Sequence, residues 1–340
     1  MPQPSENPRA TNPSESPEAT GVDAPRASGR SAGNTTRMRH HCGRRANWLM
    51  QSAAIHCLPL AYFLAWFAAL WFWLKDATAR RSSMDYFRHI MPDARRRTIF
   101  LCSYLNVYHY AVALIDASAV LTGHAGAFDM RFPQRARLAE AAAAPGGLLI
   151  LTAHVGAIEI TAPRLATMVA NRQIHFVMYQ DMEDATEKFR SENWAALGGI
   201  HIINSIDPIS ASLKIAHALL AGDVVGMRAD RRVSGRSIDV PILGHMAQLP
   251  QGPFMAAVAT GATVVSAFTF RTGYRRYELT VSKPRQYIAT DSSQRTEMMA
   301  RACADFAADL SDAVRQHPLD WFNFYPFWQP VSTAQSSDTN

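Results

Sequence analysis

From Gly146 onward, short apolar runs alternate with amphipathic stretches, and this alternation restricts the fold more than any other feature of the chain. Leu148–Leu151, Ile174–Tyr179, Ile200–Ile203, Val224–Arg228, Ile238–Ile242, Thr263–Arg271 and Tyr277–Val281 have the length and composition of strands. Ala157–Val169 and Asp184–Leu197 have helical spacing between them, and Gly198–Gly199 closes the second. Asp207 and Pro208 read as an N-cap and first helical residue, opening a helix that Gly222 stops. Pro253–Thr260 and Gln294–Gln316 complete the helices. Strands separated by helices run parallel in one sheet. The predicted fold is therefore α/β, a largely parallel central sheet flanked by helices, with an N-terminal membrane-associated helical segment. The two closing strands, separated by Thr272–Arg276, have the spacing of a hairpin.

The N-terminal third reads differently. Residues 1–36 are rich in Pro, Ser, Asn, Thr and Gly and bury too little apolar surface to offset ordering entropy, so a disordered tail is expected there and at 331–340. They also lack the apolar core of a cleavable signal peptide. Residues 37–82 form a basic and apolar segment, and 83–330 the main folded domain. Within the former, Leu49–Leu74 contains no charged residue and is long enough to span a bilayer. Trp66, Trp71 and Trp73 crowd one end, as in an interfacial belt, whereas Gln51, His56 and Pro59 interrupt the apolar pattern. Arginines on both sides suit an anchor that lies on anionic lipid; a buried hairpin is the alternative. Helical spacing continues over Ser83–Thr122, broken at Pro92.

The net charge of +6 favours anionic partners. Nucleic acid is not expected among them, because no reader motif accompanies the basic clusters. Cys42, Cys57, Cys102 and Cys303 form no CxxC and no zinc spacing, so reduced thiols facing a cytoplasm are expected, with no metal and no cofactor. GxGxxG and GxxxxGK[ST] are absent, and the GxSxG string at Gly29–Gly33 lies in the Pro- and Ser-rich stretch with no apolar strand before it to make a nucleophile elbow, which removes serine hydrolase, dinucleotide and P-loop readings.

The chemistry concentrates in GGLLILTAHVGAIEITAPRLA, Gly146–Ala166. His154 follows a strand, Gly156 permits a turn and Glu159 falls where a helix begins. With 12 histidines and 28 acidic residues in 340, about one chance HxxxxE/D is expected, and His124/Asp129 is a second match. Context separates them. His124 sits in a glycine-bearing loop, whereas His154 lies beyond a strand's carboxyl end, where open α/β sheets bind ligands. Residues five apart on a helix point about 140° away from each other, so His154 meets Glu159 only from the preceding turn. Glu159 would then hold one ring nitrogen and leave the other to take a proton from a hydroxyl. A structural His–Glu pair is the alternative.

Several segments in the same order resemble the lipid A biosynthesis acyltransferases, lauroyl and myristoyl transferases of the lysophospholipid acyltransferase superfamily. They are the apolar segment with its basic helices, LLILTAHVGAIE, LLAGDVVGMRADRR, VPILGHMAQLPQGPFMAAVATGATVVSAFTFR and HPLDWFNFYPFW. The resemblance covers residues 45–330. It implies a membrane-associated enzyme that moves a fatty acyl chain from acyl carrier protein or acyl-CoA, as co-substrate, to a hydroxyl of a lipid or glycolipid, at the cytoplasmic face of the inner membrane. It implies His154 as general base oriented by Glu159. Gly156, Arg228, Asp230, Arg231 and Gly244 are the expected substrate-binding residues, with Arg232 alongside. LGGIHIINS lacks the arginine usual before the third segment, and Arg231 and Arg232 follow Asp230 where a second acidic group is usual; both suit an acceptor other than lipid A. Two alternatives stay open: an inactive, membrane-attached lipid-binding protein of the same fold, and a glycerophospholipid acyltransferase.

Overall fold

The structure, a computed structural model, describes residues 57–169, 172–178, 200–232 and 235–328. Both expected tails, Gln51 and His56, the arginines before the apolar segment and the helix expected at Asp184–Leu197 lie outside these residues.

Three helices open the described chain: α1 (Leu58–Lys75), α2 (Ala77–Ile90) and α3 (Arg96–Ala119). Pro59, expected to interrupt the apolar segment near its middle, stands in the first turn of α1, where its missing N–H costs no helical bond. Ala61, Ala65 and Ala69 recur every fourth residue and are fully or almost fully buried. This small-residue stripe lets α1 lie against α3. Polar ties pin the pair: Trp73 Nε1 donates to Ser103 Oγ at 3.0 Å and Tyr104 Oη to the Trp66 carbonyl at 3.0 Å. The other face of α1 exposes Leu60, Phe63, Phe67, Trp71 and Leu74, each at least half exposed. Two helices, Leu58–Lys75 and Arg96–Ala127, are long and apolar enough to cross a membrane. The second extends α3 through a π turn and a 3-10 turn. His124 lies in that extension, and Asp129 begins a strand, so the rival His/Asp match is spent on a helix end and a sheet edge.

The expected α/β sheet is present. Seven strands line up in the order β1 (Asp129–Arg131), β9 (Arg276–Val281), β8 (Thr263–Gly273), β2 (Leu148–Thr152), β5 (Val224–Arg228), β3 (Ile174–Met178) and β4 (Ile200–Asn204). The last five run parallel, while β8 and β9 form the expected antiparallel hairpin. All five residues of β2 are buried, which is why it reads as a continuous apolar run rather than an alternating one. Helices α4 (Arg135–Ala143), α5 (Ile158–Met168), α6 (Pro208–Leu220), α7 (Gln251–Thr260) and α8 (Ser292–Gln316) complete the described α-helices. Asp207 caps α6 by accepting from Ile209 N, and Pro208 follows it, as the sequence indicates.

Ile238–Ile242 is a strand but does not join the main sheet. It is part of β6 (Ser237–Ile242), which pairs with β7 (His245–Pro250) as a separate antiparallel ribbon. The two-residue turn is Leu243–Gly244, with φ of 55° and 86°. Both are left-handed, as a twisted hairpin requires, but leucine in place of the usual Asn or Asp hides the signal.

Candidate active site

The carboxyl ends of β2 and β5 carry the site. The two strands pair in register with Thr152 opposite Arg228. Two residues further along each chain stand His154 and Asp230, and they meet: His154 Nδ1 lies 2.8 Å from Asp230 Oδ1. Asp230 Oδ2 accepts the His154 main-chain N–H at 2.9 Å and Trp321 Nε1–H at 3.1 Å. Burial alone would raise the Asp230 carboxyl. The His154 ring, Arg231 and the His154 N–H outweigh it and hold that pKa well below the carboxylate range. An ionised carboxylate only accepts, so Nδ1 carries the proton and Nε2 is left with its lone pair.

This corrects the expectation that Glu159 orients His154: the hydrogen-bonded carboxylate is Asp230, 76 positions away in sequence. Glu159 is buried in the first turn of α5 and accepts from Arg228 Nη2 at 2.8 Å. The pair lines a cleft with Thr152, Ile158, Phe176, Met178 and Gly226. Gly226 faces the Phe176 ring so closely that a Cβ would lie 2.6 Å from it.

Burial pushes the His154 pKa from 6.5 down to about 4; Asp230 opposes this, while Arg231 and Arg228 reinforce it. The imidazole is neutral at pH 7. Its lowered value also makes stability depend on pH, because the unfolded chain binds a proton between pH 6.5 and 4 that the folded one refuses. Stability is therefore full above that window and lost as pH falls through it, by on the order of 3 kcal/mol. Melting temperatures taken from pH 7 to pH 4 should fall less steeply in His154→Gln than in the native chain; equal slopes would refute the assignment.

Gly156 adopts φ 57°, and a Cβ there would lie 1.7 Å from the Thr269 carbonyl oxygen of β8. Only glycine permits this turn, as the sequence implies. The C-terminal segment 318–328 then straps the turn. Val155 and Trp321 form an antiparallel bridge. Gly156 N–H donates to the Asp320 carbonyl at 2.7 Å, and Phe322 N–H to the His154 carbonyl at 2.8 Å. Tyr325 Oη donates to the Asp230 carbonyl at 3.2 Å. Asp320 also accepts the Arg271 N–H at 3.1 Å and faces His109 Nδ1 at 2.9 Å. Sequence reasoning missed Trp321, Tyr325, Asp320 and His109 as parts of the site; the aromatic close HPLDWFNFYPFW was the signal for the first three, and His109 had none.

The other expected residues are divided. Arg231 stacks over the Tyr325 ring, 5.1 Å from Cζ to centroid, beside Asp230. Arg232 instead reaches Gln248, with Nη1 2.6 Å from Oε1. Gly244 serves the β6–β7 turn, and a Cβ there would meet nothing within 4 Å, so its place comes from its positive φ. Asn323, in the strap, is 3% exposed, yet neither amide atom has a partner among the described residues. Replacing it with Leu removes two unsatisfied groups at similar volume. A rise in stability of about 1 kcal/mol is expected, read as a higher melting temperature.

The family profile of the bacterial lipid A biosynthesis acyltransferases matches residues 58–329. No curated protein matches the chain. The match takes in both apolar helices, the whole sheet, the His154–Asp230 pair and the strap, and by it the chain belongs to the bacterial lipid A biosynthesis acyltransferase family and is an acyltransferase.

Proposed function

We propose that His154 is the general base that deprotonates an acceptor hydroxyl for attack on an acyl thioester, supplied by acyl carrier protein or coenzyme A. The observation that carries this is the His154–Asp230 pair, a neutral imidazole with one nitrogen held by an ionised carboxylate. Base help of this kind contributes about 10²–10⁴-fold in rate. Asp230 fixes the tautomer and stabilises the imidazolium as the proton arrives. The Glu159–Arg228 pair lines the neighbouring cleft, and Arg228 and Arg231 supply positive charge for a phosphate of the donor arm or headgroup.

The acceptor is a lipid or glycolipid, reached from the membrane along the exposed apolar face of α1. The donor carriers place the reaction at the cytoplasmic face of the inner membrane. The membrane-associated segment is 37–82 and the acyltransferase domain 83–330. Lipid mass spectrometry of cells with and without the protein tests the reading. One lipid species lighter by a single acyl chain is expected in its absence. The native chain should restore the full-weight species and His154→Ala should not. Restoration by the alanine variant, or no changed lipid at all, would favour the inactive lipid-binding alternative.

A further inference from the structure

We propose that Arg271 and Arg275 bind the phosphate of a lipid headgroup whose chains lie along the exposed face of α1. Both guanidinium groups sit on aromatic rings: Arg271 Cζ is 5.6 Å from the Tyr62 centroid, and Arg275 Cζ 5.2 Å from that of Tyr274. The two tyrosines meet edge to face at 5.7 Å, so the cations and rings form one continuous cluster. Tyr62 belongs to α1 and is buried, one position before the exposed Phe63 of the apolar face.

Neither guanidinium donates to a carboxylate among the described residues, and the Nε of each is buried with no hydrogen-bond partner. The acidic groups nearby are engaged elsewhere. Asp116 acts on both arginines through space, but its oxygens accept from Tyr62 and Tyr277. Asp129 turns to Arg131, with Oδ2 3.3 Å from Nε. Asp320 faces His109 and takes only the main-chain N–H of Arg271.

A second observation bears on Arg275 alone. It ends the β8–β9 turn at φ 54°, in the left-handed region that favours glycine. Its backbone strain buys a cation at the hairpin tip, beside the apolar helix. Arginine is the side chain that matches a phosphate with paired donors. The proposal deepens the acyltransferase reading, since Arg271 N–H and Gly156 N–H share Asp320, which sets the bound headgroup on the same sheet edge as His154.

Sedimentation of the full chain with phosphatidylcholine vesicles, plain or containing phosphatidic acid, tests the site. The native chain is expected to prefer the phosphatidic acid vesicles. The double variant Arg271→Gln/Arg275→Gln should lose that preference by about tenfold or more, with binding to plain vesicles unchanged. Arg275→Gly relieves the turn, so it keeps the fold and should lose part of the preference. His154→Ala should keep all of it, which separates this site from the catalytic reading. An undiminished preference in the double variant would overturn the proposal. So would an equal loss of coenzyme A binding measured without vesicles, which would assign the phosphate to the acyl donor.

Discussion

Asp230→Asn should lower acyl transfer by about 10²–10⁴-fold, a loss on the scale of removing the imidazole itself by His154→Ala. Asparagine keeps the volume and a carbonyl oxygen where Oδ2 accepts both the His154 N–H and the Trp321 indole N–H, so the turn has no reason to unfold. It removes the charge that makes Nδ1 the protonated nitrogen. An amide can present its NH₂ to Nδ1, and the proton then resides on Nε2, where it blocks the base. The loss should fall on kcat, with the melting temperature nearly retained. If Asp230→Asn leaves kcat within a few fold of native while His154→Ala abolishes it, Asp230 is a structural partner and another group orients the ring.

Gly156→Ala carries the second large effect, this time on the fold. The new methyl would need the space of the Thr269 carbonyl at 1.7 Å, and alanine resists φ 57° besides. Strand β8 cannot give way cheaply, because it is paired on both edges, with β2 and β9. Left-handed strain and a backbone clash each cost about 1–3 kcal/mol, so a loss of roughly 3–5 kcal/mol is expected. For a domain of this size, each kcal/mol lowers the melting temperature by about 2–4 °C. A variant that melts within a degree of the native chain would show that the turn at Gly156 is not held as described.

These two residues show what a sequence discloses about such a site. Gly156 was legible because the constraint is local: a histidine, a turn and a helix start in one short stretch. The strands were legible for the same reason, since burial on both faces writes uninterrupted apolar runs. Asp230 was legible as a site residue but not as the partner of His154. That pairing depends on strand β5 lying beside β2 in one register, a long-range choice that no local spacing encodes. Glu159, five residues from His154, was the nearer candidate, but the register leaves it to face Arg228. Strand β1 is three residues long and gains its place only from β9, so nothing in its own composition announces it. Leu243–Gly244 hid a hairpin because its first residue is not one that favours positive φ.

The strap at 318–328 has a consequence for how the enzyme comes to life during synthesis. It follows every strand and helix described here, yet it supplies the indole that steadies Asp230, the amide that fixes His154 and the carbonyl that pins Gly156. A ribosome would have delivered the apolar helices and every described strand before this segment emerged. Until then the sheet can assemble, but His154 and Asp230 lack their clamp. The His154–Asp230 pair would therefore take its described geometry only once residues 318–328 have left the ribosome, and a chain ended before them would lack it.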